Sequence, residues 1–439
     1  MMHARLDIRV LTVVPISTRM MMPMPAWDLL PRDILRRITD YTCENPIKFA
    51  GVCTGWRWLL DDPDSRRTIA FAYKPQFTMS VYDATRSFAL FVCRRPPITT
   101  DLHVHIGSAK FGAGSALGAA LVHLCPSLKT LRLEPRLLAS TFCTSPFVDM
   151  CFGLESVCAH INGSLDMAHM TRLRDVNLTF DGSRIGNVVL PNSLQSARFQ
   201  VLQSATAHLL NCLLGCVSAM ADLGVLTIYT EVEYNVDAAR FPCGLHRLVL
   251  FGTRRTHIFW DGAWLPDLVV LGLEKCQFET TGLSALLAQS RNIRALQLED
   301  YAVPNVLDDP MPCMDVRHLP LVVLNVMSNR YQPRISFLLP KGIVKVVMGS
   351  DDMLDMLHQP TLQESVEVLV VALHHVDAAM FDLAWPRSIA MPRVRHVTAI
   401  GCSCVGVGAL LGQRCPCSHL LMTHALTSDI ETDMDIFVC

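Results

Sequence analysis

Leu268-Val269-Val270-Leu271-Gly272-Leu273, followed by Cys276, is the stretch on which the fold turns. Leu271 and Leu273 alternate as strand residues that share one face, with Gly272 turned to the other. The same apolar frame recurs along the chain. It reads Leu128-x-x-Leu131-x-Leu133, Leu154-x-x-Val157-x-Ala159, Leu173-x-x-Val176-x-Leu178 and Leu194-x-x-Ala197-x-Phe199. It continues as Leu223-x-x-Leu226-x-Ile228, Leu245-x-x-Leu248-x-Leu250, Ile293-x-x-Leu296-x-Leu298 and Leu321-x-x-Leu324-x-Val326. The last copies are Ile343-x-x-Val346-x-Met348, Val366-x-x-Leu369-x-Val371 and Val394-x-x-Val397-x-Ala399. From Leu128 to Val394 the copies follow one another at a mean of about 24 residues, a spacing of internal repeats rather than of independent strands. An earlier alternation, Leu102, Val104 and Ile106, opens the series.

A frame this loose matches often by chance in an apolar chain, so further features matter. The gaps carry helical spacing, as in Leu283, Leu286 and Leu287, or Met353, Leu354, Met356 and Leu357. The position three residues past the last anchor holds Asn162, Cys276, Asn329 and Cys402, side chains able to hydrogen-bond backbone as the chain leaves the strand. Together these resemble a leucine-rich repeat domain. The resemblance implies an α/β fold, an irregular solenoid with parallel strands on its concave face and helices outside. Residues between the anchors would then line the concave face: Arg132, Cys158, Asn177, Arg198, Thr227, Val249, Gly272, Gln297, Asn325, Val347, Val370 and Thr398. Two residues on stand Tyr229, Phe251, Glu274 and Glu299. Arg132, Arg198, Tyr229, Phe251, Glu274 and Glu299 are the candidate cargo-binding residues, with Tyr229 and Phe251 as anchors. Val347 and Val370 are expected to be filled by strand propensity or covered by a loop or the C-terminal tail.

Ahead of the repeats, residues 25–72 follow a different pattern. Pro31 suits a first helical position and Asp33 its first turn. Ile34, Leu35, Ile38 and Tyr41 form one apolar face, with Arg32, Arg36 and Arg37 turned away. After Asn45-Pro46 come Ile47, Phe49, Val52, Cys53, Trp56, Leu59 and Leu60, closed by Asp61-Asp62-Pro63. So small a helical unit carries more apolar surface than its own core needs, as an interaction module does. Leu30-Pro31, Ile34-Leu35, Ile38, Val52-Cys53, Trp56, Leu59 and Asp62-Pro63 resemble an F-box, in the style of the fungal F-box families. Many members of that family end in Leu-Trp, where this chain has Ser65-Arg66-Arg67-Thr68-Ile69. The resemblance implies an adaptor-binding surface of Leu30, Pro31, Ile34, Leu35, Ile38, Val52 and Trp56 that holds a Skp-type adaptor and, through it, a cullin–RING ligase. The chain would be the substrate-recognition subunit of a Skp–cullin–F-box ubiquitin ligase, binding protein cargo through its repeats. The alternative is a non-catalytic protein-binding scaffold without ubiquitin transfer.

Composition bounds the rest. The chain of 439 residues is 51% hydrophobic and 18% charged, enough for a large core. A formal charge of −2 argues against a nucleic-acid binder working through bulk charge. The richest apolar run, Leu209 to Met220, is too short to span a membrane, which takes about 20 residues. Scattered through apolar segments, the 17 cysteines suit buried thiols and a reducing compartment, cytoplasmic or nuclear. Cys402, Cys404, Cys415, Cys417 and His419 invite a zinc reading, but their spacing is Cys-x-Cys twice rather than Cys-x-x-Cys. The glycine-rich run from Gly112 to Gly118 lacks the Lys-Ser/Thr of a P-loop. Asp308-Asp309, Asp351-Asp352 and His374-His375 are expected in solvated turns. No cofactor, metal or catalytic residue is expected. The domain map is a disordered leader over 1–24, the F-box over 25–72, a connector over 73–97, the repeats over 98–425 and a tail over 426–439.

Overall fold

The computed structural model describes residues 68–73, 86, 89–90, 92–93, 99–106, 120–134, 152–161, 163–181, 187–203, 205, 207–303, 313–327, 335–349, 352, 356–372, 391–400 and 419–423. The leader, the tail and most of the proposed F-box lie outside them. The chain forms two compact units, Met1–Cys212 and Leu213–Cys439. Both are α/β and built on parallel strands.

The first unit contains β1 (Thr68–Tyr73), β2 (Asp101–Ile106), β3 (Thr130–Glu134), β4 (Ser156–Ile161), β5 (Leu165–Asp166), β6 (Asp175–Phe180), β7 (Val188–Val189) and β8 (Ser196–Val201). Its sheet runs in the order β1-β2-β3-β4-β6-β8, and β5 pairs with β7 apart from it. The sheet begins earlier than the repeat frame suggests. β1 takes in residues assigned above to the end of the helical module and the start of the connector, and pairs Thr68 with Asp101.

The second unit contains β9 (Val225–Thr230), β10 (Asn235–Asp237), β11 (Arg247–Phe259), β12 (Val270–Phe278), β13 (Ala295–Glu299), β14 (Cys313–Asp315), β15 (Val323–Met327), β16 (Ser336–Leu338), β17 (Lys345–Gly349), β18 (Val368–Ala372), β19 (His396–Ile400) and β20 (His419–Thr423). Its main sheet runs β9-β11-β12-β13-β15-β17-β18-β19-β20, with β10 added beside β11. The registers align the frame anchors as continuous rows. Leu226 sits opposite Leu248, Leu248 opposite Leu271, Leu271 opposite Leu296 and Leu296 opposite Leu324. Val346, Leu369 and Val397 extend the row. These side chains are buried, and each fully buried leucine contributes roughly 1.5–3 kcal/mol.

One device repeats at the start of these strands. A single carbonyl accepts two consecutive N–H groups from the next strand. Gly224 O takes His246 and Arg247 at 2.9 and 3.0 Å, His246 O takes Val269 and Val270 at 2.8 and 3.0 Å, and Val269 O takes Arg294 and Ala295 at 2.8 and 3.1 Å. Arg294, Val322, Val344 and Glu367 continue the series, and Thr100, Lys129, Glu155 and Arg174 do the same in the first unit. Side chains add further ties to the preceding turn. Ser127 Oγ donates to Thr99 O, Ser193 Oγ to Leu173 O and the buried Ser290 Oγ to Leu265 O, each at 2.8 Å.

Helices are few. α1 (Ala207–Ser218) buries Leu209, Leu210, Leu213, Leu214 and Val217, one stripe at helical spacing. In α2 (Thr280–Gln289), Leu283, Leu286 and Leu287 are buried as their spacing predicts, and Gly282 lies close against Trp260. α3 (Pro360–Ser365) has proline at its start, where the missing N–H has no helical partner to lose. Other described gaps hold turns and the short pairs β5–β7 and β14–β16 in place of helices. None of the helices among the described residues is long and apolar enough to cross a membrane.

Candidate protein-interaction face

Strand alternation sets a second face opposite the leucine anchors. In the second unit its inner row runs Thr227, Val249, Gly272, Gln297, Asn325, Val347, Val370 and Thr398, each opposite the next in register. The adjacent row runs Tyr229, Phe251, Glu274, Glu299 and Met327. Four of the six candidate cargo-binding residues therefore stand side by side on four neighbouring strands. Arg132 and Arg198 belong to the first unit, where they are exposed and share a row with Cys158 and Asn177 between them.

Tyr229 and Phe251 stack with ring centroids 4.0 Å apart and planes 6° from parallel. Directly opposed aromatic pairs of this kind add about 0.5–1.5 kcal/mol beyond the area they bury. Both remain partly exposed, so the stack offers a flat, half-solvated plate.

Beside the plate, two like charges face each other. Glu274 accepts a hydrogen bond from Lys275 Nζ at 2.8 Å. Among the described residues, Glu299 Oε2 accepts only from a neutral group, Gln297 Nε2, at 3.3 Å. Burial and then the Glu274 charge push the Glu299 carboxyl from its ordinary 4.5 up to about 7, against the opposing Gln297 hydrogen bond and Lys275 ammonium. Opposed like charges on adjacent strands destabilise a sheet, so this pair is a local cost to folding.

Both acidic strands carry an unusual conformation just after the glutamate, within β12 and at the end of β13. Lys275 and Asp300, the residues after Glu274 and Glu299, have φ of 53° and 46°. This left-handed geometry is uncommon for side-chain-bearing residues. Within β12, Lys275 stays at the surface while Cys276 after it is buried. Cys276 Sγ lies 3.1 Å from Glu274 O and 3.6 Å from Leu250 O, as a donor to both. This is the backbone-tying role expected of the Asn/Cys position. Burial drives its thiol up to about 12.

The rim is charged and paired. β11 departs from the regular register between Phe251 and Thr256, and the intervening residues project as a bulge. Gly252 is required there, since a Cβ would lie 2.6 Å from Thr256 Cβ and 3.0 Å from Cys276 Sγ. Arg254 pairs with Asp300 at 3.3 Å and Arg255 with Glu233 at 2.6 Å. Gln277 Nε2 donates to Arg254 O, fixing the bulge to β12. These neighbours escape the repeat frame because they sit after the anchors. The signals available were Gly252 beside Arg254-Arg255, and a charge directly following each glutamate.

Beyond Glu299 the face turns apolar. Met327, Val347, Val370, Ala372 and Ile400 form one buried cluster, with Val347 2% exposed. The two valines are thus part of a core rather than an open surface, in line with the expectation for them. Asp352 needs correction. It lies in a turn as expected, yet it is 4% exposed rather than solvated. It packs over Gly349, whose missing side chain leaves room: a Cβ there would meet Asp352 Oδ2 at 3.0 Å.

Leu30, Pro31, Ile34, Leu35, Ile38, Val52 and Trp56 lie outside the described residues. So do Cys402, Cys404, Cys415 and Cys417, the glycine-rich run, His374-His375, Asp308-Asp309 and Asp351. Among the described residues no three His, Cys, Asp or Glu side chains converge as a metal site would need. Compared with models of known protein families and with curated proteins, the chain gives no match.

Proposed function

We propose that the chain is the substrate-recognition subunit of a Skp–cullin–F-box ubiquitin ligase. Residues 25–72 would be its F-box, holding a Skp-type adaptor through Leu30, Pro31, Ile34, Leu35, Ile38, Val52 and Trp56. Residues 98–425 would be a leucine-rich repeat solenoid that carries cargo. The chemistry belongs to other subunits. The chain acts by proximity, turning an encounter between cargo and ligase into an effectively intramolecular step.

The observation that best supports a cargo-reading role is the row Tyr229, Phe251, Glu274 and Glu299, where an aromatic plate and an acidic pair share one partly open face. A purely structural sheet has no need to oppose two glutamates. The F-box half of the reading rests on Leu30-Pro31, Val52-Cys53 and Trp56.

The test is co-purification of the tagged full chain from cells, with Pro31→Ala/Trp56→Ala as control. A Skp-type adaptor and a cullin accompany the parent chain, and the double variant loses both. Failure of the parent chain to retain any Skp-type protein overturns the reading. Adaptor without cullin replaces it with the scaffold alternative.

A further inference from the structure

We propose that the row of Tyr229, Phe251, Glu274 and Glu299 receives a cationic side chain, lysine or arginine, from a segment of the protein cargo. This rests on reading that face as the cargo-binding face, and adds the chemistry of what it binds.

The charges argue for it first. Three cations border the row, and each is committed to another carboxylate: Lys275 to Glu274, Arg254 to Asp300, Arg255 to Glu233. Among the described residues Glu299 has its hydrogen bond only from the neutral Gln297 amide, so once it ionises these groups are one positive charge short. The shortfall sits in a partly buried place, where an incoming ammonium or guanidinium forms a stronger bond than at an open surface. Its arrival removes the repulsion between Glu274 and Glu299, so binding relieves a cost already present in the folded chain.

Two further features select for a cation with several donors. The Tyr229–Phe251 plate adjoins Glu274 in the same row, and aromatic faces attract ammonium and guanidinium groups, the planar guanidinium most. Asn325 lies beside Gln297 on the same face, 3% exposed, and its Oδ1 has no hydrogen-bond partner among the described residues. A buried acceptor left without a donor is uncommon, and a donor-rich head group is what would satisfy it. The same acidity disfavours nucleic acid, whose phosphates would face Glu274 and Glu299.

The experiment exposes the full chain to an immobilised library of short synthetic peptides of random sequence, at low and high salt. The expected result is retention of peptides with Lys or Arg next to an apolar residue, weaker at high salt. Glu274→Gln/Glu299→Gln, isosteric and checked for folding by circular dichroism, lowers their retention about tenfold. Retained peptides with no Lys or Arg preference, or a preference untouched by the double substitution, overturn the proposal. Tyr229→Ala/Phe251→Ala separates the two levels. If it abolishes retention of peptides that show no basic preference, the face still binds cargo and only the cationic assignment fails. If the parent chain retains no peptide, or this variant retains every peptide unchanged, the cargo-face reading fails with it.

Discussion

Replacing Glu299 by glutamine should stabilise the protein at neutral and alkaline pH while leaving it almost unchanged in acid. The carboxyl goes from an ordinary 4.5 to about 7 on folding, chiefly through burial and then through Glu274, with Asp300 adding to it and Gln297 and Lys275 opposing. The folded chain therefore holds this proton more tightly than the unfolded chain does. Stability rises as pH falls from about 7 toward 4.5, where the unfolded carboxyl also protonates; above about 7 the full penalty applies. Linkage makes that penalty of order 3 kcal/mol. Glutamine removes the charge yet keeps an oxygen to accept the Gln297 hydrogen bond. Urea unfolding followed by far-ultraviolet circular dichroism, at about pH 8 and about pH 4.5, measures the difference. The variant should unfold at clearly higher urea than the parent at the upper pH and at nearly the same urea at the lower. An equal or lower midpoint for the variant at the upper pH would refute the reasoning, because it would mean that the buried charge costs nothing.

Other outcomes follow from the same geometry. Native chain treated with a thiol alkylating reagent near neutral pH should label the exposed Cys243 and Cys313 while sparing Cys276, which reacts only after denaturation; peptide mass spectrometry reads this directly. Leu271→Ala removes a fully buried anchor and should cost roughly 2–5 kcal/mol in a denaturant titration. Gly252→Ala forces a methyl group onto Thr256 and Cys276 and should cost about 1–3 kcal/mol, loosening the bulge that carries Arg254 and Arg255.

Much of the sheet could be read from the chain because its anchors obey simple alternation. Leu248, Leu271 and Leu296 recur in one frame and meet in one parallel row, and Cys276 ties backbone at the position where a polar or sulfur side chain was expected. Four candidate face residues were legible for the same reason: a period of two fixes which side of a strand each faces. What the frame hides is anything that breaks it. The extension of β11 to Phe259 runs through a bulge, and a bulge depends on the close approach of Gly252, Thr256 and Cys276, which are not local in spacing. The left-handed Lys275 carries no compositional mark, since lysine is not a turn residue. β1 was missed because Thr68–Tyr73 precedes the first copy of the frame. The counterion of Asp300 was likewise invisible, as its pair with Arg254 depends on which loops meet across neighbouring strands.

The shared carbonyl that recurs at these strand starts has an evolutionary implication. Because the strands that carry it are keyed to their predecessors by one oxygen and two amides, their alignment is inherited stepwise and is indifferent to what lies between. Intervening segments can lengthen, shorten or trade a helix for a turn without shifting the neighbouring side chains out of line. A lineage could thus rewrite its exposed strand face one residue at a time while the underlying lattice stays in place.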